Sequence, residues 1–428
     1  MRLPSIRPVV RNSAYLVSSH GITMLLHVFY VVILARLLEP DLYGLLNYGV
    51  SWYLTFIALT YLGLDVVLSR EIGRARDNAP ALAGSTLALR GGAALFVSFL
   101  SVSIALVAEP DSGALGLILV LSIALFSRAI WLWCGSVFTA FENTRYILFL
   151  ELGFRPIEIL SVFIVLSLIA PKSVIAIAWV HAALWTLQSA IAVVIITKRF
   201  TTLDFTQLAR QSKRLLVEGI PGALYTLTVI WFMQSPTVLY RQMVGTGDSL
   251  GHFALALQIV GYLNIIPYLI GSVSLPVLSR SATRNDGNTR RAAIGVLTAI
   301  PLMGIALGLL GLWLAPPLTV MMFGEAYRPT GTILGEAVWL LTPISLAIGL
   351  QQVLFSVGRH QWPAAIGALT GIAAMAASYA PLTEAFAYRG ALLAIGLGMT
   401  IWACGAIVAL IRGGLLSARN QETARQAP

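Results

Sequence analysis

Residues 113–140 read GALGLILVLSIALFSRAIWLWCGSVFTA, with a single charged residue, Arg128. A helix needs about 20 predominantly apolar residues to cross the hydrocarbon core of a bilayer. The stretch exceeds that length, and its apolar residues run on without the alternation of a barrel strand. It therefore predicts a transmembrane helix.

Similar apolar runs recur along the 428 residues, of which 58% are hydrophobic and 11% are charged. An average soluble domain has about 25% charged residues, so the composition excludes a soluble enzyme and a disordered chain. We predict an all-α, polytopic membrane protein with twelve transmembrane helices. The predicted spans are 13–38, 42–68, 82–108, 113–140, 147–169, 173–196, 215–243, 249–278, 292–315, 330–357, 364–383 and 388–411.

Lysines and arginines divide unequally between alternate connections. One set of connections, which includes both termini, holds twenty of them, whereas the other set holds only Lys172, Arg328 and Arg389. Cytoplasmic loops of membrane proteins collect basic residues, so both termini are predicted to be cytoplasmic. The same rule accounts for the formal net charge of +10, and nucleic acid is not an expected partner.

A short pattern repeats along the chain. Leu-Ser-Arg followed by a second arginine occurs at 68–74 and again at 278–284, each time at the end of the second predicted helix of a half. Both halves also start on the predicted cytoplasmic side. We therefore expect two parallel six-helix repeats, with lobes at 1–205 and 206–428.

Three arginines, Arg90, Arg128 and Arg155, lie well inside predicted spans. On the insertion scale, each would cost roughly 2.5–3.5 kcal/mol if it faced lipid at the centre of a helix. Each must therefore face a polar partner or a water-filled cavity.

Glutamates inside the spans have two interpretations. Glu151 and Glu158 share one helical face with Arg155, which predicts either an internal ion-pair ladder or part of a transport pathway. Glu336 lies inside the tenth predicted span, where it has either a local partner or a role in ion coupling.

Uncharged polar residues inside the spans are found in the second half. Gln234, Gln258 and Asn264 suit hydrogen bonding to a hydroxyl-rich substrate, and they suit bonding between helices equally well.

No catalytic motif appears in the chain. A GxSxG motif, a P-loop and paired carboxylates on an external loop are all absent. Cys134 and Cys404 both lie in apolar runs without the spacing of a metal site. We therefore expect no enzyme activity, no cofactor and no metal.

A series of motifs near the N-terminus carries a family resemblance. The motifs are Arg11-Asn12-Ser13, Leu34-Ala35-Arg36-Leu37-Leu38-Glu39-Pro40-Asp41-Leu42-Tyr43-Gly44, Leu62-Gly63-Leu64 and Arg70-Glu71-Ile72-Gly73-Arg74, with weaker matches at 276–280 and 323–327. In this order and spacing the sequence resembles the polysaccharide transporters, which are Wzx-type flippases of lipid-linked oligosaccharides. Their superfamily also contains multidrug exporters.

The resemblance implies two six-helix lobes around a central cavity, in the inner membrane of a bacterium. It also implies movement of an isoprenoid-diphosphate-linked oligosaccharide from the cytoplasmic to the outer leaflet by alternating access. Arginine suits phosphate, so Arg90, Arg128 and Arg155 are expected to give the first lobe a cationic, substrate-binding lumen. Further expected partners are membrane lipid, H⁺ or Na⁺, and the polysaccharide polymerase machinery.

Three alternatives stay open. A cation-coupled exporter of drugs or metabolites in the same superfamily would favour a cavity lined by carboxylates, and the buried arginines argue against it. A membrane polymerase or ligase would have a large external loop, whereas the longest here, 316–329, is short. A major-facilitator carrier would have a different motif at 65–74.

Overall fold

The computed structural model describes residues 6–264, 288–357 and 361–412, and regular structure in these ranges is helical throughout. The chain forms two compact units, Met1–Ile230 and Trp231–Pro428. The lobe boundary predicted from the sequence, between residues 205 and 206, stays a prediction.

The first unit is built from consecutive helices joined by short connections. These helices are α1 (Ile6–Leu37), α2 (Pro40–Ile57), α3 (Leu64–Arg74), α4 (Ala79–Ala108), α5 (Ser112–Ala140), α6 (Arg145–Ile164) and α7 (Val174–Arg199).

A long helix, α8 (Leu208–Val244), begins in the first unit and ends in the second. The other described helices of the second unit are α9 (Asp248–Leu263), α10 (Asn288–Phe323), α11 (Arg328–Ala337), α12 (Leu341–Val357), α13 (Gln361–Phe386) and α14 (Tyr388–Arg412).

The predicted class, an all-α polytopic membrane protein, is confirmed. Within the described residues, ten helical segments are long and apolar enough to cross a membrane, and each overlaps a predicted span. Two predicted spans are not among the ten. The apolar part of α1, Gly21–Leu37, is shorter than the others, and most of the span 249–278 beyond α9 lies outside the described residues.

The second predicted span, 42–68, is not one continuous helix. Helix α2 ends at Ile57, a 3-10 turn follows, and α3 starts after Gly63. Gly63 is left-handed, with φ of 65°, a conformation that glycine adopts without strain. A Cβ atom there would lie 1.9 Å from the carbonyl oxygen of Gly219 on α8. The break therefore lets two backbones approach closely, and it turns Arg70 and Arg74 from predicted loop residues into helical ones.

Polar side chains fix the ends and the packing of the first-unit helices. The Asp111 carboxylate accepts a hydrogen bond from the Gly113 amide (2.9 Å) and so caps α5. The indole of Trp133, on α5, donates to the Thr86 hydroxyl of α4 (3.0 Å). These contacts hold α5, which carries Arg128, in place beside α4.

The repeat predicted from the sequence cannot be followed into the second unit, because 278–284 lies outside the described residues.

Candidate functional site

A cavity of about 830 Å³ lies in the first unit. Its wall comes from α1, the break before α3, α3 itself, α5 and α6. The charged side chains that line it are Asp65, Arg70, Arg128 and Glu151, and Tyr61, Ser136 and Trp131 add polar and aromatic surface. The cavity thus offers both signs of charge to a ligand.

Arg128 is the one of the three predicted arginines that lines this cavity. Its guanidinium lies 5.3 Å from the centre of the Trp185 ring and 3.8 Å from the Glu151 carboxylate. The latter distance is too long for a hydrogen bond, and among the described residues the Nη1 atom has no hydrogen-bond partner. Arg128 is therefore oriented by an aromatic face, and its side chain, which is 24% exposed, borders the cavity.

Arg90 is buried completely on α4 and does not line the cavity. It donates two hydrogen bonds to the Asp65 carboxylate, at 2.5 and 3.3 Å, and its guanidinium carbon lies 4.9 Å from the centre of the Tyr61 ring. The Ser136 hydroxyl donates to the same carboxylate at 2.5 Å. Arg90 thus reaches the cavity only through Asp65, which it holds at the wall.

Arg155 lies on α6 in the predicted ladder of charges. Its guanidinium contacts Glu158 at 2.6 Å and Glu151 at 3.4 Å. All three side chains are buried, and the helical spacing of three and four residues stacks them on one face. The contacts confirm the ladder as a structural feature, and Glu151 lies in it between Arg155 and the cavity arginine, Arg128.

The ladder ends at a histidine that the sequence analysis missed. His181, on α7, lies 3.1 Å from Glu158 through its Nε2 atom, and the same atom shares a 2.7 Å hydrogen bond with the Tyr30 hydroxyl of α1. Its ring stacks on Trp185. A lone histidine in an apolar span gives little signal, and its register with Trp185 and Gln188 (i, i+4, i+7) was the available clue.

The expected cationic lumen differs from what the structure contains. Arg90 is neutralised by Asp65, while Arg128 and Arg155 are accompanied by Glu151 and Glu158. These three arginines and three carboxylates are together formally neutral when His181 is neutral. The difference arises because charges this deeply buried need counter-ions, and one of these, Asp65, lies far from Arg90 in the sequence.

The structure places the polar residues that the sequence singled out in the second half of the chain. Gln258 donates to the Tyr262 hydroxyl (2.8 Å), and Gln234 is half-buried on α8. Asn264 is the last residue described before 265–287. Glu336 accepts hydrogen bonds from Arg389 at 2.8, 2.9 and 3.2 Å and from the Tyr388 hydroxyl at 3.3 Å, so it has the local partner that the sequence allowed.

Two motifs of the N-terminal resemblance join α3 to α8. Gly63 of Leu62-Gly63-Leu64 makes the close approach to Gly219. In Arg70-Glu71-Ile72-Gly73-Arg74, Glu71 accepts hydrogen bonds from Arg70 (3.2 Å) and Arg74 (3.1 Å). Arg70 also donates to Glu218 of α8.

A third motif shapes the other end of the unit. Pro40 starts α2, and Tyr43 and Gly44 are buried behind it. Glu39 accepts a hydrogen bond from Lys172, which raises the pKa of Lys172 above its ordinary value. The motifs thus mark helix junctions, and one of their residues, Arg70, also lines the cavity.

Comparison with protein families gives a match over most of the chain. Residues 9–282 match a family described as "Polysaccharide biosynthesis protein". The chain belongs to this family. The motifs at 34–44, 62–64 and 70–74, and the cavity of the first unit, lie inside the matched part of this polysaccharide biosynthesis family member. No match was found among curated proteins.

Solved structures show which fold this family member has. An inward-facing multidrug resistance MATE transporter of the MOP superfamily matches with a TM-score of 0.76 at 16% identity, over 92% of this chain and 95% of its own. An outward-facing one matches with a TM-score of 0.67 at 16% identity, over 96% of both chains.

A MOP superfamily transporter from Pyrococcus furiosus matches with a TM-score of 0.67 at 15% identity, over 96% of both chains. That transporter is described as having a binding pocket of reversed polarity, which suggests a different function for it. At these identities the comparisons establish the fold of MOP-superfamily transporters.

Proposed function

We propose that this protein is an exporter that moves an isoprenoid-diphosphate-linked oligosaccharide from the cytoplasmic to the outer leaflet of a bacterial inner membrane. The family description supports a role in polysaccharide assembly, and the shared fold supports transport rather than catalysis. The observation that carries the proposal is the cavity of the first unit, which Arg128 lines without a carboxylate at hydrogen-bonding distance.

The charges of the cavity favour an anion over a cation. Asp65 is held by Arg90 and Ser136, and Glu151 lies between two arginines. Both carboxylates therefore already have cationic partners, whereas Arg128 has only a long contact to Glu151. A guanidinium in this state suits a phosphate oxygen, which argues against the alternative of a cation-binding drug exporter.

The three arginines would then have different roles. Arg128 would contact the diphosphate directly, while Arg90 and Arg155 would act through the carboxylates Asp65 and Glu151. Gln234, Gln258 and Asn264 remain candidates for contacts with the sugar hydroxyls. Both termini would be cytoplasmic, in agreement with the distribution of basic residues.

The driving force has more than one candidate. A membrane potential of 100 mV, negative inside, is worth about 2.3 kcal/mol per charge, so the export of a dianion would gain up to roughly twice that. Coupling to H⁺ or Na⁺ would add to it, with Glu151, Glu158 and Glu336 as candidate sites.

Deleting the gene tests the proposal. A non-permeant reagent is first applied to intact membranes of the deletion strain, and the lipid fraction is then extracted. The modified and unmodified isoprenoid-linked sugars show which leaflet held them. We expect completed units trapped in the cytoplasmic leaflet, released by the wild-type gene but not by Arg128→Gln. Units in the outer leaflet would instead indicate a polymerase or ligase, and unchanged lipid-linked sugars would indicate an exporter of something else.

A further inference from the structure

Glu158 and His181 form a buried acid–base pair at the inner end of the charge ladder. The Glu158 Oε1 atom lies 3.1 Å from the His181 Nε2 atom, and the two side chains are 3% and 5% exposed. Within the described residues, the Nδ1 atom of His181 has no hydrogen-bond partner. The Nδ1 atom therefore allows the pair to bind one more proton.

Charged and titratable groups approach this pair from every helix packed around it. Glu158, Arg155 and Glu151 come from α6, and Arg128 comes from α5 through its contact with Trp185. Helix α1 contributes Tyr30 and His27, and α2 contributes Tyr53, which packs on Trp185. The fixed charges of this group are Arg128, Arg155, Glu151 and Glu158, so it is neutral while both histidines are neutral.

The pair is connected to the cavity by Glu151. This carboxylate lies 3.8 Å from Arg128 and 3.4 Å from Arg155. An anion that binds Arg128 competes with Glu151 for the Arg128 guanidinium. This competition favours movement of the Glu151 carboxylate towards Arg155. Arg155 then compensates the negative charge of Glu158 less completely. The other neighbour of Glu158 is His181.

We propose that the Glu158–His181 pair takes up one proton from solvent when an anionic ligand binds at Arg128. The identity of the anion rests on the proposed function. A bound anion would leave a neutral, buried group with uncompensated negative charge, which is costly at low dielectric. The added proton, shared by the pair, restores part of the balance. His181 thereby becomes a proton site linked to the loaded state.

The linkage has a measurable size. If one proton binds with each ligand, the association constant rises about tenfold for each unit of pH decrease over the range where the free pair is unprotonated and the loaded pair is protonated. By the same reciprocity, the ligand stabilises the protonated pair. The prediction concerns the loaded protein only, and it holds whichever force drives export.

Titration calorimetry on the full-length protein in detergent tests the proposal. The probe is a short-chain isoprenyl diphosphate glucose, a diester whose phosphates neither gain nor lose protons near neutral pH. Measuring the binding enthalpy in buffers of different ionisation enthalpy gives the number of protons taken up. We expect about one proton per ligand for the wild-type protein.

Two substitutions in the pair have different expected results. His181→Gln should abolish proton uptake and the rise in affinity at low pH. Glu158→Gln should also abolish proton uptake, but it removes one negative charge, so its binding should be pH-independent and tighter than wild type above neutral pH. The matched control is His252→Gln, because His252 is a buried histidine that bonds Thr330 in the second unit. It should behave like wild type.

The outcomes separate this proposal from the proposed function. Binding of the diester by the wild-type protein without proton uptake overturns the proposal and leaves the function standing. Proton uptake that persists in both His181→Gln and Glu158→Gln overturns it as well. If His181→Gln does not fold, Glu158→Gln alone decides. A wild-type protein that does not bind the diester contradicts both the proposal and the function.

Discussion

The two compact units handle their intramembrane polar groups differently. In the first unit, Arg128, Glu151, Arg155 and Glu158 form a chain of charges between a cavity and His181. In the second unit, Arg241 is a buried charged side chain, whereas the buried His252 makes a neutral contact of 2.9 Å with Thr330. The described ion pairs of the second unit, Arg389–Glu336 and Arg328–Glu325, lie at helix ends, and both arginines are largely exposed.

This contrast indicates what the buried charges do. A neutral hydrogen bond joins helices at lower desolvation cost than an ion pair, so packing alone gives no reason to bury four charges. Intramembrane charges usually mark a functional pathway. The first unit is therefore the one that we expect to recognise a charged ligand, and the predictions below test that difference between the units.

The largest effect is expected for Arg155→Ala. It leaves Glu158 buried without its arginine partner and Glu151 with the 3.8 Å contact to Arg128, and breaking a buried pair from one side costs about 3–5 kcal/mol. We expect a large loss in purified yield and in the melting temperature in detergent. Arg389→Ala in the second unit is the control, with little change in either. Equal melting temperatures for the two variants would contradict the contrast between the units.

The next effect concerns the backbone. Gly63→Ala places a methyl group against the Gly219 carbonyl in a left-handed conformation, and we expect a loss of about 3 kcal/mol. Gly245 also has a positive φ, but nothing lies within 4 Å of its Cβ position. Gly245→Ala should therefore cost about 1–2 kcal/mol from the backbone conformation alone. Thermal unfolding of both variants measures the difference, and similar losses would exclude a special role for the Gly63–Gly219 contact.

The smallest effect is expected for Glu336→Gln. Its partner Arg389 is largely exposed, and exposed ion pairs add little to stability. We expect a melting temperature close to that of wild type and normal export in the deletion strain. A strong export defect with normal stability would instead make Glu336 a coupling residue, and the second unit would then also carry charge-dependent function.

Much of the fold followed from the sequence because transmembrane helices carry a strong local signal. Long apolar runs, broken by Glu39-Pro40-Asp41 and Glu109-Pro110-Asp111, gave the positions of the helices. The break at Gly63 was missed, because the reason for it is Gly219, more than 150 residues further along the chain. A contact of that kind leaves no local pattern.

The site was partly predictable for the same reason. The ladder of Glu151, Arg155 and Glu158 follows from helical spacing within α6. The pairing of Arg90 with Asp65 and of Glu158 with His181 connects different helices, and neither spacing nor composition indicates it. The sequence therefore identified the charged groups but not which of them border the cavity.

The central claim is that Arg128 contacts the transported anion, while Arg90 and Arg155 hold the carboxylates around it. The most direct measurement is transport of a labelled isoprenyl diphosphate oligosaccharide by protein reconstituted in vesicles. Arg128→Gln is compared with Arg389→Gln, at equal amounts of folded protein. The account predicts that transport is lost in Arg128→Gln and retained in Arg389→Gln. Normal transport by Arg128→Gln would contradict it.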